Sequence, residues 1–250
     1  MRTKLAALLL LASCGGGAIV KFQMSNDTAA ARTTDGAAAT DGVVLKLKLI
    51  AAYLAEDVDP TTMDNIGATE MIWLNPQCQD DISGCNVSGF TQPAGGPRIT
   101  DFFDLARTNA EVNADLNSQA ATITPGSYRY ARIEMCKAYA PETQPTDPTL
   151  MWEGPGMTAE QPFTSGDCGR TSAAFDPPLV LAAGDSVAVT LGYDLSTSIV
   201  AGAPAPNGAY SVAGALVDGQ PHYFRACEDL DADHRVCMDY PDFVPSAAKQ

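Results

Sequence analysis

The sequence predicts an all-β fold: an antiparallel β-sandwich with long loops, stabilised by disulfides and placed behind a flexible N-terminal tether. Three observations carry this. Apolar residues recur with period two in several short runs; in the cleanest, Ser186 to Leu195, Val187, Val189, Leu191, Tyr193 and Leu195 share one face. Turn chemistry separates the runs, as at Pro125-Gly126, Ala183-Gly184-Asp185 and Asp218-Gly219. There is no long amphipathic helix and no strand–helix alternation, so stacked sheets are the economical way to bury the apolar faces. A domain in two parts, divided near 140–170, is the alternative.

The N-terminus predicts export. Arg2 and Lys4 form a positive start, and Leu5 to Ala12 form an apolar run too short to span a bilayer. Leu11-Ala12-Ser13-Cys14 resembles the lipobox of bacterial lipoproteins. The resemblance implies removal of residues 1–13 as a signal peptide and acylation of Cys14 with diacylglycerol, usually with a third chain such as palmitate. More than one acyl chain anchors stably, whereas one alone is marginal. Gly15 stands where the inner-membrane retention signal of such proteins has Asp, which implies the outer membrane in a Gram-negative cell. An ordinary secreted protein is the alternative. Residues 14–41 read as the tether, rich in Gly, Ala, Thr, Asp and Ser, with Ala18 to Met24 as an exception that could form a short strand or lie near the bilayer. The folded domain is then 42–250.

Charge excludes one class of partner. The chain has 15 basic and 30 acidic residues; loss of Arg2 and Lys4 leaves 13 against 30, a formal charge of -17. Such a surface repels nucleic acid and anionic lipid, which argues against a DNA-binding role. It suits solubility, cations or basic partners.

Besides Cys14 there are six cysteines: Cys78, Cys85, Cys136, Cys168, Cys227 and Cys237. An even number in an exported chain suggests disulfides. Sequence distance suggests Cys78 with Cys85, Cys227 with Cys237, and Cys136 with Cys168. A thiolate metal site is the alternative, but close Cys-x-x-Cys pairs are missing.

In chain order, Leu45, Leu47 and Leu49 alternate with Lys46 and Lys48, predicting a half-buried strand with the lysines outward, although Ala51 to Ala55 could turn helical. Glu70 to Leu74 is the next strand, stopped by Asn75-Pro76, and Ile99 to Leu105 reads as an irregular one. Thr108 with Glu111 offers a capping box and a short helix burying Val112 and Leu116, with a β arm as the alternative. Ala121 to Thr124 and Ser127 to Met135 predict a hairpin about Pro125-Gly126, with Tyr128, Tyr130, Arg132 and Glu134 on one face and the Arg132–Glu134 end near the rim. Within the proline-rich stretch 139–168 only Leu150 to Trp152 reads as β. Leu179 to Leu181 and Ser186 to Leu195 predict a second hairpin, and Ser211 to Val217 with His222 to Cys227 a third. The tail PSAAKQ is expected to be loose.

Residues 42–196 are also similar to a loosely defined group of bacterial lipoproteins whose shared domain has no assigned function. The similarity rests on the lysine-spaced strand at 45–49, Asp104-Leu105, the Ile123 to Tyr128 turn leading to Arg132, and Ala183-Gly184-Asp185 leading to Tyr193-Asp194. It implies a β-sandwich on an envelope surface and no catalytic residues. The six cysteines and the 139–168 insertion depart from that pattern.

Candidate chemistry is sparse. Asp229, Asp231 and Asp233, beside Glu228 in the Cys227–Cys237 loop, offer hard oxygen ligands for Ca²⁺, but the EF-hand Gly and Glu positions hold His234 and Tyr240. Asp57, Asp59 and Asp64 form a second acidic group. Gly184-Asp185-Ser186 and Asp231-Ala232-Asp233-His234 resemble the serine and Asp-x-x-His blocks of GDS-type esterases, which would make Ser186 the nucleophile, His234 the base and Asp231 its orienter. Too little chain separates them for that fold, and the turn reading of Gly184-Asp185 suffices. Trp73, Trp152, Tyr128 and Tyr130 could line a glycan or peptide groove or form core. His222 is the only other histidine, so no histidine-rich metal site exists. The expected role is a non-enzymatic envelope surface lipoprotein, ligand-binding or structural, partnered by the membrane through its lipid and by an envelope protein or glycan. A calcium-binding adhesin-like or carbohydrate-binding module and a secreted hydrolase are the alternatives.

Overall fold

The computed structural model describes residues 16–27, 32–33, 43–59, 64–79, 101–135, 150–163, 169–201, 213–217, 220–223, 226–231, 234–238 and 242–250. In chain order the strands are β1 (Ala18–Asn26), β2 (Arg32–Thr33), β3 (Val44–Leu47), β4 (Leu49–Val58), β5 (Asn65–Leu74), β6 (Phe103–Asp104), β7 (Ala121–Ile123), β8 (Gly126–Met135) and β9 (Leu150–Glu153). They continue as β10 (Gln161–Phe163), β11 (Gly169–Leu181), β12 (Ser186–Tyr193), β13 (Ile199–Ala201), β14 (Ala213–Val217), β15 (Gln220–Tyr223), β16 (Ala226–Asp231), β17 (His234–Met238) and β18 (Phe243–Lys249). The helices are α1 (Pro76–Gln79) and α2 (Asn109–Leu116).

The β content is as the sequence predicts, but the architecture corrects the single antiparallel sandwich. Among the described residues there are four four-stranded sheets and one two-stranded ladder, β14-β15. The orders are β18-β12-β1-β7, β11-β8-β4-β5, β10-β9-β3-β6 and β16-β17-β13-β2. Most pairs are antiparallel, but β1 runs parallel to β12 over eight registered pairs from Ile19↔Ser186 to Asn26↔Tyr193.

The first two sheets are stacked. Their edges meet, with β18 against β11 at one side and β7 against β5 at the other. Two short connections tie them at one end. Thr124-Pro125 carries the chain from β7 to β8, and Ala182 to Asp185 carries it from β11 to β12. The sequence pattern predicts a hairpin turn at both. Each is a corner between sheets: β7 pairs with β1, and β8 pairs with β4 and β11. Turn chemistry announces a reversal but not which strand receives the hydrogen bonds. Gly184 takes φ +83, as its turn requires, whereas Gly126 is not among the positive-φ glycines.

The tether is corrected most plainly. Ala18 to Asn26 is an inner strand whose Ala18, Val20, Phe22 and Met24 are sealed in the core. The short apolar alternation outweighs the polar composition around it, because both neighbours satisfy its backbone groups. Gly17 is required there, since a Cβ would lie 2.5 Å from Thr122 Cγ2 and 2.7 Å from the Ile123 carbonyl oxygen. The C-terminal tail is likewise ordered as β18, paired with β12 from Val187↔Lys249 to Tyr193↔Phe243.

The predicted strand at 45–49 divides at Lys48, with β3 and β4 entering different sheets. Lys48 is buried, its Nζ 4.9 Å from the centre of the Phe102 ring, and Lys46 pairs with Glu160. Ala51 to Ala55 stays extended, buried on both faces. Helix α2 matches its sequence signature. Thr108 accepts from Glu111 N, Glu111 accepts from Thr108 N, and Val112 and Leu116 are buried.

A fold stapled by three bridges is corrected to one held by hydrogen-bonded ladders and one extended core. Cys78 and Cys237 are each disulfide-bonded, and Cys227 stands opposite Cys237 in the β16–β17 register. Cys85, Cys136 and Cys168 lie outside the described residues, as do the signal residues 1–13 and Cys14. No helix among the described residues is long and apolar enough to cross a membrane.

Candidate functional site

A cleft of about 310 Å³ is lined by Asn75, Pro76, Gln77, Asp101, Phe102, Phe103 and Asp115. Its wall is built where β5 ends. Asn75 is buried, donates through Nδ2 to the Leu49 carbonyl at 2.7 Å, and accepts from Gln77 N at 2.8 Å. That carboxamide caps the single turn of α1 and pins it to the start of β4. Gln77 then donates through Nε2 to Asp101 Oδ2 at 3.0 Å. Phe102 lies half-buried under the cleft with the Lys48 ammonium against its ring, while Phe103 is buried edge-on to Trp73, 5.6 Å between centres. Asp115, from α2, receives Arg107 Nη1 at 3.1 Å.

Carboxylates, carboxamides and a ring with a cation behind it can grip a polar or cationic ligand. The described lining includes no histidine, serine or cysteine to act as base or nucleophile. The cleft lies toward the Asn26 end of β1. Asn26 Nδ2 donates to the Leu105 and Arg107 carbonyls at 2.9 and 3.0 Å, and Asn109 Oδ1 accepts from Asn26 N at 2.5 Å. Tyr193, at the same end, donates to the Leu105 carbonyl at 2.8 Å. Burial, aided by the negative charges of Asp104 and Asp27, pushes its phenol far above the usual range.

The aromatic groove is not formed. Trp73 is 5% exposed and donates through Nε1 to the Leu116 carbonyl at 2.9 Å, with Phe22 6.0 Å away; Trp152 and Tyr128 are both 1% exposed. Tyr128 donates to the Thr124 carbonyl at 2.6 Å, bracing the corner four residues upstream. Tyr130 is half-buried, with the Arg129 guanidinium 5.5 Å from its ring centre. Arg132 and Glu134 do share a face, but it is sealed and not a rim.

The esterase-like serine block is a turn. Asp185 accepts from Ala182 N at 2.9 Å and Lys249 Nζ at 3.0 Å, and Ser186 begins β12 opposite Ile19. Those bonds hold the Asp185 carboxyl below the usual carboxylate range, the backbone bond first and the Lys249 ammonium second. Asp229 and Asp231 lie on strand β16, not in an open loop, opposite Arg235 and His234 in register. Asp233 lies outside the described residues. No group of three or more metal-ligating side chains gathers among the described residues. Asp57 accepts from Val58 N at 3.0 Å, and Asp59 N donates to the Asp64 carbonyl at 2.8 Å, so that acidic group belongs to the β4–β5 connection. His222 is in β15, opposite Ala215.

The sequence signalled only part of the cleft. Asn75-Pro76 was visible as a strand stop, but Gln77, Asp101 and Asp115 meet across three separate segments and carry no local pattern. No family model, curated protein or solved structure matches the chain.

Proposed function

We propose that this is an exported, lipid-anchored envelope protein that works by binding rather than by catalysis. One observation carries the reading. Leu11-Ala12-Ser13-Cys14 has the order of a lipoprotein cleavage site, and the first strand of the core begins at Ala18. Cleavage before Cys14 leaves every residue of β1 in place. The cleft beside Asp101 and Phe102 is where a ligand or an envelope partner would seat, and its acceptor-rich wall favours a polar or cationic group.

The test is expression of the full chain in a Gram-negative host, followed by membrane fractionation and intact mass. The reading expects a mature N-terminus at Cys14, added acyl mass, and loss of both acyl mass and membrane association in Cys14→Ser. A soluble chain without acyl mass would overturn it in favour of secretion.

A further inference from the structure

Helix α2 carries an unusual stripe. Asn109, Val112, Asn113 and Leu116 recur at i, i+3, i+4 and i+7, so they share one face. Val112 and Leu116 are buried against the core, as that spacing expects. The other two positions, where apolar residues would extend the same contact, hold asparagine.

The reason lies on β1. β12 flanks that strand from Ile19 to Asn26. On the other side β7 covers only Ala18 to Val20. Among the described residues no strand continues that side from Lys21 to Asn26, and α2 lies there instead. Asn113 Oδ1 accepts from Met24 N at 3.0 Å, and Asn113 Nδ2 donates to the Met24 carbonyl at 2.7 Å. One turn earlier Asn109 Oδ1 accepts from Asn26 N, and Asn109 Nδ2 donates to Ser25 Oγ at 3.3 Å. Asn113 Nδ2 also reaches the Asn109 carbonyl at 2.7 Å, which holds the carboxamide in line. A carboxamide offers both a donor and an acceptor, as a peptide group does. It can therefore serve a strand edge as the next strand would. An apolar residue at 113 would orphan the backbone groups of Met24, which is 1% exposed.

We propose that α2 is an edge guard: Asn109 and Asn113 stand in for a missing strand and keep β1 from pairing with β1 of a second copy. An open strand edge is a template for another chain, and a covering helix is one remedy. The edge itself is self-complementary. In an antiparallel two-fold pairing centred on Met24, Asn26 of one copy faces Phe22 of the other, Ser25 faces Gln23, and Asp27 faces Lys21. The pairing thus forms two Lys–Asp contacts across the strands, on a chain whose formal charge of -15 otherwise repels a copy of itself.

The experiment uses the full chain in detergent micelles, as the parent, as Asn109→Ala, and as Asn109→Ala with Asn113→Ala. Native mass spectrometry reads stoichiometry, hydrogen exchange reads the Met24 amide, and melting curves read the fold. The expected result is a monomeric parent and a double variant that is mostly dimer. Its Met24 amide should exchange faster than the parent's when dilute and slow again once dimeric. Asn109 is exposed in the first turn of α2, so Asn109→Ala alone keeps the fold and should show the same dimer in smaller fraction. That variant decides the question if the double one unfolds. Adding Lys21→Asp sets like charges opposite each other and should reduce the dimer about ten-fold, and Asp27→Lys added to that should restore it. Folded monomers in the asparagine variants, or a parent that dimerises as readily as they do, overturn the guard. A dimer indifferent to Lys21→Asp overturns the β1 pairing.

Discussion

Arg132 Nη2 donates to Glu134 Oε1 at 3.0 Å, two residues along the same inner strand, with side chains 1% and 2% exposed. β8 lies between β11 and β4, so the pair sits in the middle of a sheet. Tyr53, opposite Arg132 in register, reaches Glu134 Oε2 at 3.4 Å, and Asn65 accepts from Arg132 Nη1. A buried ion pair adds little net stability over apolar packing, but loss of one member strands the other charge. Arg132→Met or Glu134→Leu alone is expected to cost about 3–5 kcal/mol in urea unfolding. The double variant should recover at least half of that loss. Additive single losses would show that the two charges do not act as a pair.

Gly17 separates an ordered first strand from a tether. If β1 starts where the register places it, Gly17→Val drives a side chain into Thr122 and the Ile123 carbonyl and lowers stability by about 1–3 kcal/mol. Gly16→Val meets open space and should be silent. Equal, negligible effects in thermal melts would mean that the segment is a leash after all.

These two sites show what a sequence can and cannot disclose here. Thr108 and Glu111 spell a capping box within four residues, and the structure contains it bond for bond. The period-two run at Ser186 to Tyr193 is a strand flanked on both sides, because alternation is a property of one segment. Partner choice is not. Pro125-Gly126 and Ala183-Gly184-Asp185 look identical whether the chain folds back in one sheet or crosses to the next. Lys48 looks like an outward lysine until the strand breaks beside it and Phe102 covers it. The cleft joins Gln77, Asp101 and Asp115, whose meeting depends on how the segment before β6 and helix α2 pack against the end of β5.

Tyr128 braces the corner between the stacked sheets through one short bond to the Thr124 carbonyl. Tyr128→Phe keeps the ring and removes that bond, and should cost about 1 kcal/mol. If the corner is what the hydroxyl serves, hydrogen exchange should quicken at residues 126–128 more than elsewhere in β8. A uniform change along the strand would assign the loss to global stability instead.

Tyr193 sets an alkaline limit. Its phenol is buried and donates to the Leu105 carbonyl, and its folded pKa is raised above the ordinary tyrosine value. The folded state therefore holds the proton more tightly than the unfolded chain. The stabilisation is full below about pH 10, the unfolded value, and is lost as pH rises beyond it. Tyrosinate absorbance should show Tyr193 ionising only as the protein unfolds. In Tyr193→Phe the same alkaline titration should lose part of its steepness.

Asp185 contributes on the acid side with the opposite sign. Its carboxylate accepts from Ala182 N and Lys249 Nζ, and these bonds hold its pKa below the ordinary aspartate value. Glu111, fixed by Thr108 in the capping box, is lowered too. The unfolded chain binds those protons first, so the contribution is complete above about pH 4 and disappears as pH falls through the lowered folded values. Asp185→Asn should flatten the acid limb of the stability curve below pH 4 while leaving the alkaline limb unchanged. Thr108→Ala should do so as well, with an added loss of about 1 kcal/mol at neutral pH from the missing cap on α2. An unchanged acid limb in both variants would place the acid sensitivity on other carboxylates.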